Sequence, residues 1–159
     1  MTRDTPPRHR LRDSVVEDAP ELARLWRQLG HPITSDSVAA TWRSWTSGDD
    51  GAIVAVREDG TLAGAVAIHR MRVLHRPAPV GRITALIVDA PDRGRGLGRE
   101  LVAAAESALA RSGCELLELT SNDRRVDAHD FYRHLGYSRT SIRLAKDLTG
   151  DTPVTPIRP

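Results

Sequence analysis

Cysteine is almost absent from this chain: Cys114 is the only one in 159 residues. No internal disulfide can form, and no cysteine cluster is available to hold zinc. Long apolar runs are missing too. Nothing approaches the roughly 20 apolar residues that span a bilayer. The opening MTRDTPPRHR lacks the apolar centre of a signal peptide. These absences lead us to expect a cytoplasmic protein with no membrane partner. Blocks of one charge are lacking as well. The net charge is +2 and 28% of residues are charged, so nothing in the balance demands a nucleic-acid partner. There is no internal repeat. Two common phosphate-binding signatures also fail. Gly94, Gly96 and Gly98 do not follow the G-x-G-x-x-G spacing of a dinucleotide fold, and no G-x-x-x-x-G-K is present.

What is present centres on Ile83 to Arg99, ITALIVDAPDRGRGLGR. Ile83 to Val88 is a short, β-branched apolar run that predicts a buried strand. Asp89, Ala90, Pro91 and Asp92 break it. Arg93-Gly94-Arg95-Gly96-Leu97-Gly98-Arg99 follows, and then Leu101, Val102, Ala105 and Leu109 fall at helical spacing. Strand, arginine-glycine loop and helix make a plausible anion site. The first turn of a helix has backbone N–H groups without intrahelical partners, at the positive end of the macrodipole. Glycines let a ligand oxygen come close, and the arginines add charge. The expected ligand group is a phosphate or pyrophosphate. The bland alternative is an exposed turn with solvated arginines.

Elsewhere the pattern predicts a strand from Arg10 to Val16 and a helix capped by Asp18 and closed by Gly30. A second helix capped by Ser35 follows. Ala52 to Arg57 and Leu62 to Val73 read as a hairpin about Asp59-Gly60. Val80 to Val88 is the next strand, and the helix after the loop runs to Ser112. A strand from Leu116 to Thr120, a helix from Arg125 to Leu135 ended by Gly136, and a strand from Tyr137 to Leu144 complete the chain. The order is β-α-α-β-β-β-α-β-α-β. It predicts an α/β fold with a mixed, mainly antiparallel central sheet and helices on both faces. The length fits one domain, which we place at residues 10–146. Residues 1–9 are expected to form a flexible arm, and the proline-bearing 147–159 a disordered tail.

Arg93-x-x-Gly96-x-Gly98 resembles the R/Q-x-x-G-x-G/A loop of the GCN5-related N-acetyltransferase (GNAT) family. A second stretch strengthens the likeness. Leu119-Thr120-Ser121-Asn122, Ala128-His129-Asp130-Phe131-Tyr132 and Leu135-Gly136-Tyr137 look like that family's strand, asparagine, A-x-x-F-Y and L-G-F/Y segments. The resemblance covers about Arg10 to Leu144. It implies the acyl-CoA N-acyltransferase fold, acetyl-coenzyme A as co-substrate, no metal, and a small-molecule or peptide amine as acceptor. It is compatible with a homodimer.

By the same resemblance, Arg93, Gly94, Arg95, Gly96, Leu97, Gly98 and Arg99 hold the pyrophosphate. Leu86, Ile87 and Val88 pair through their backbone with pantetheine, on a strand splayed from its neighbour. Asn122 and Ala128 belong to the cofactor contacts. Tyr132 also lies there and acts as the general acid for the departing thiolate. Each has a plainer reading. Tyr132 also suits an aromatic on an amphipathic helix, Asn122 a self-satisfied turn, and 86–88 an ordinary central strand. Trp26, Trp42 and Trp45 suit core packing by default, or the lining of an acceptor cleft.

The general base is not carried over. The family often has an acidic residue on the strand before the loop, and Val80 to Val88 contains none. Glu118, His31, His69, His75 and a water molecule stay open. The function expected is acetyl transfer to a primary amine in a ternary complex. A non-catalytic coenzyme A sensor or scaffold and a different phosphate-binding enzyme are the alternatives.

Overall fold

A computed structural model describes residues 9–45, 48–121 and 125–150. It divides into two units, Met1–Leu119 and Thr120–Pro159.

The first unit is built on one sheet. Its strands are β1 (Arg10–Asp13), β2 (Asp50–Val56), β3 (Leu62–Met71), β4 (Val80–Val88) and β5 (Leu116–Leu119), neighbours in that order. The first four pair antiparallel, and β4 with β5 is parallel. That single parallel pair needs a crossover, which the helix α3 (Leu97–Arg111) provides. The sheet is mixed and mainly antiparallel, as the pattern predicted. Alternation along the strands divides its two faces. Val54, Val56, Ala65 and Ile87 join Leu22, Ala23 and Leu25 of α1 (Ala19–Gln28) in one buried cluster. Val38 of α2 (Ser35–Trp45) lies in the same cluster.

α3 covers the opposite face through Leu101, Val102, Ala105 and Leu109, all buried. It comes so close because two strand residues lack side chains. A Cβ on Gly64 would lie 2.8 Å from the Ile87 carbonyl oxygen and 3.0 Å from Leu101 Cδ1. One on Gly81 would lie 2.7 Å from Leu109 Cδ1.

Two helix starts differ from the expected caps. Asp18 precedes α1, but its carboxylate accepts from Val15 N–H at 2.8 Å and from both terminal nitrogens of Arg12, at 2.7 and 2.8 Å. It ends a 3-10 turn, Val16–Asp18, and already has helical dihedrals, so it does not adopt the extended geometry of a side-chain cap. Ser35 is the first residue of α2 rather than its cap. Thr34 takes that role, its Oγ1 accepting from Ser37 N–H at 3.2 Å, while Ser37 Oγ accepts from Thr34 N–H at 3.1 Å. Gly30 closes α1 with φ +87°, and His31 N–H reaches back to the Trp26 carbonyl.

Among its described residues the second unit carries one helix, α4 (Val126–His134), stopped by Gly136 at φ +93°. Tyr137 N–H donates to the Tyr132 carbonyl at 3.0 Å. The ring of Tyr132 meets Phe131 and Tyr137 edge-on, at centroid separations of 5.1 and 5.6 Å. The strand expected over 137–144 is not formed. A strand exists only by pairing, and among its described residues this unit contains no other strand to pair with.

Candidate active site

β4 meets β3 along its whole length but meets β5 only from Val80 to Ile83. From Thr84 onward its outer edge has no partner strand among the described residues of the unit. Asp89 N–H donates to the Ala63 carbonyl, so Ala63 and Asp89 form a hydrogen-bonded pair. Alternation in an antiparallel ladder then gives Ile87 the same relation to Ala65, while Leu86 and Val88 turn their N–H and C=O outward. Both backbone groups of Leu86 and the N–H of Val88 thus lie where a ligand could add as a strand, while the Val88 carbonyl is taken by Arg93 Nε. Ile87 anchors β4 to β3. A bulge accompanies the change: Ala85 faces Ala67 and Ile83 faces Ile68, leaving Thr84 extra.

A buried ionic knot fixes the end of β4. Asp89 is 6% exposed and Asp92 7%. Asp89 accepts from Gln28 at 2.8 Å, Arg24 at 3.0 Å and Arg57 at 2.7 Å, and from Ala90 N–H at 3.0 Å. Asp92 accepts from Arg57 at 2.5 Å and lies 3.1 Å from His9 Nε2. Burial pushes the Asp89 carboxyl up, but hydrogen bonds from Gln28, Arg57 and Arg24 outweigh it and hold the group well below the usual carboxylate range. Asp92 is lowered in the same way, burial being overcome chiefly by Arg57. Arg24 is raised, first by its hydrogen bond to Glu21 and then, against burial, by Asp89.

The loop leaves from this knot. Arg93 folds back, donating from Nε to the Val88 carbonyl at 2.9 Å and from a terminal nitrogen to Gln28 Oε1 at 3.1 Å. Gly94 and Gly96 have φ +74° and +89°, which only glycine adopts cheaply. Apart from their chain neighbours, no atom of the described residues lies within 4 Å of a Cβ placed on either, so the main chain is open to a ligand there. Gly96 precedes α3, and the first helical bond runs from Glu100 N–H to its carbonyl. Among the described residues, no hydrogen bond reaches the amides of Gly96, Leu97, Gly98 and Arg99. Arg93, Arg95 and Arg99 are exposed, whereas Leu97 is buried and anchors the turn. Open amides, a helix N-terminus and three arginines fit a diphosphate.

Across the lower sheet runs a polar row: Asp50 faces His69, His69 faces Arg82, and Arg82 faces Glu118. His69 Nδ1 lies 2.7 Å from Asp50 Oδ1, and Arg82 donates to Glu118 Oε1. Two candidate bases, Glu118 and His69, are therefore brought into one row. His31 and His75 are not: both are exposed in loops, one after α1 and one after β3.

In the second unit, Tyr132 and Ala128 stand one turn apart on α4, both partly buried. Burial pushes the Tyr132 phenol up, against a smaller opposing pull from the charge of Arg125. Asn122 lies outside the described residues.

Sequence reasoning missed the ionic knot. Asp89 and Asp92 read there only as strand breakers, because their partners Arg24 and Arg57 are 65 and 32–35 residues away. Asp50 was missed because the strand was expected to begin at Ala52. A charged residue recurring at one strand face is the signal that could have found the row.

Residues 17–137 match the acetyltransferase (GNAT) family, and the chain belongs to that family. It is 38% identical over 90 residues to the aminoalkylphosphonate N-acetyltransferase of Salmonella typhimurium, across 57% of this chain and 58% of that protein. It is 26% identical over 136 residues to the aminoglycoside N(6')-acetyltransferase type 1 of Stenotrophomonas maltophilia, across 80% of this chain and 87% of that one. The first match thus spans less than two thirds of the relative's length. A GNAT family acetyltransferase of Staphylococcus aureus superposes with TM-score 0.76 at 21% identity, over 89% of this chain and all of that one. The glucosamine-6-phosphate N-acetyltransferase of Arabidopsis thaliana does so with TM-score 0.76 at 22% identity, over 88% and 98%. These likenesses establish the acyltransferase fold. No described helix is long and apolar enough to cross a membrane.

Proposed function

We propose that the protein transfers an acetyl group from acetyl-coenzyme A to a primary amine, which attacks directly while both are bound. The observation that carries this reading is the bare outer edge of β4 leading into the open amides of Gly96 to Arg99. In this reading the loop, with Arg93, Gly94, Arg95 and Arg99, holds the diphosphate. Leu86, through its N–H and C=O, and Val88, through its N–H, meet the pantetheine arm by strand addition. Asn122 and Ala128 belong to the same lining by resemblance alone. Tyr132, assigned by the same resemblance alone, has a raised phenol that stays protonated at neutral pH and would donate a proton to the departing sulfur. Holding two reactants in line supplies most of the rate. The chemistry needs no metal. The acceptors named for the relatives, aminoalkylphosphonates and aminoglycosides, define the first amines to try.

Calorimetry with coenzyme A, dephospho-coenzyme A, ATP and NAD tests the reading on wild type and Gly96→Asp. Asp tolerates a left-handed backbone better than most residues, so the variant keeps its fold while placing negative charge at the diphosphate site. Coenzyme A should bind wild type and lose about 100-fold or more in the variant, roughly 2.7 kcal/mol. Binding of ATP alone, or coenzyme A binding untouched by the substitution, would refute it. The lack of a carboxylate along β4 favours one other reading, a coenzyme A sensor without turnover. Thiol release against an amine panel separates the two.

A further inference from the structure

We infer that His69, oriented by Asp50, accepts the proton of the incoming amine. The inference rests on the acetyl-transfer reading and adds the base that reading lacks. Residues directly opposite across strands share a face, so Asp50, His69, Arg82 and Glu118 form a single line over β2, β3, β4 and β5. The Asp50 carboxylate, 2.7 Å from Nδ1, can only accept. Nδ1 therefore carries the hydrogen, and in the neutral ring the lone pair is on Nε2, the tautomer that a carboxylate-oriented histidine base uses. The His69 side chain is 36% exposed and that of Asp50 24%, so the ring is reachable while its orienting carboxylate is more sheltered.

The place is also right. The β4–β5 ladder ends at Ile83 and Leu119, one residue beyond the row, and the bare edge begins at Thr84. With strands roughly 4.8 Å apart and a rise of roughly 3.3 Å per residue, the Cα atoms of His69 and Thr84 lie about 8 Å apart. An imidazole and an amine together span that gap. Asp50 also lines a cavity of about 330 Å³ with Asp13, Ser14 and Trp42. The charged groups around the imidazole are Asp50 on β2 and Arg82 on β4. Glu118 on β5 pairs with Arg82 and offsets its charge. α3 covers the other face of the sheet.

In the step itself, the amine nitrogen bonds to the acyl carbon as the carbon–sulfur bond breaks. Nε2 takes the proton that the nitrogen sheds, and the sulfur, leaving with the bonding pair, takes the phenolic proton that the acetyl-transfer reading assigns to Tyr132, which water then restores. The imidazolium then returns its proton to water.

The full chain with His69→Gln and with Asp50→Asn tests this. Acetyl transfer to an aminoalkylphosphonate and an aminoglycoside is followed against pH, and coenzyme A affinity by calorimetry. His69→Gln should cut kcat about 100-fold and abolish the acid limb of the profile with affinity unchanged. Asp50→Asn should displace that limb. An intact kcat and limb in His69→Gln would overturn the inference while leaving acetyl transfer standing. Wild type that fails to bind coenzyme A would overturn both. Should the variants not fold, the nitrogen-15 spectrum of wild-type His69 still decides. A proton on Nδ1 at neutral pH is expected, and a ring protonated on Nε2 alone would overturn the assignment.

Discussion

Replacing Asp89 by Ala should cost the fold about 2–3 kcal/mol. Breaking a buried ion pair by removing one partner typically costs about 3–5 kcal/mol, because the charge left behind is uncompensated. Here the loss is softened. Arg57 keeps Asp92 and the Leu62 carbonyl, and Arg24 keeps Glu21. Arg24 and Arg57 each lose one bond, and the Gln28 side-chain amide and the Ala90 N–H lose the acceptor they share in Asp89. For a chain of this size, about 1 kcal/mol moves the midpoint by roughly 2–4 °C, so a fall of roughly 4–12 °C is expected by calorimetry. The pH dependence has a definite sign. The folded carboxyl is depressed, so its contribution is complete above its unfolded value near about 4 and is lost as pH falls through the folded value. Wild type should therefore lose stability steeply below about pH 4, and Asp89→Ala less steeply. A variant with an unchanged midpoint and the same acid slope would show that the knot contributes nothing.

Tyr132→Phe should lower turnover about 100-fold and coenzyme A affinity far less; an unaltered rate and pH profile would remove the phenol from the reaction. Gly64→Ala should destabilise by about 1–3 kcal/mol in urea unfolding, since the added Cβ meets a main-chain oxygen at 2.8 Å, and an unchanged midpoint would refute the close packing of β3 and β4.

Local signals carried the fold far. Gly30 and Gly136 ended α1 and α4 where expected, both at positive φ, because helix termination is written in one residue. The strand-loop-helix around Gly96 was legible for the same reason: its period changes at a glycine cluster. What escaped depends on distant partners. Nothing near Asp92 in the chain announces Arg57. A strand at 137–144 was inferred from composition, whereas a strand needs a neighbour. The cap of α2 fell on Thr34, not Ser35, because both residue types suit the role and only the backbone decides.

The additional residue at Thr84 has a consequence for the phase of β4. Arg82 looks the same way as His69, and Ile87 the same way as Ala65, although 82 is even and the other three numbers are odd. A uniform two-residue repeat cannot satisfy both ends of that strand. The supernumerary threonine resets the count between them, so the ionic end and the greasy end are indexed separately. Excising it would force a choice: either Arg82 and its line swing beneath α3, or Ile87 abandons the contacts it makes with α1. An insertion or deletion at this one position would be felt at both ends, while a side-chain change at the exposed Thr84 would be felt at neither.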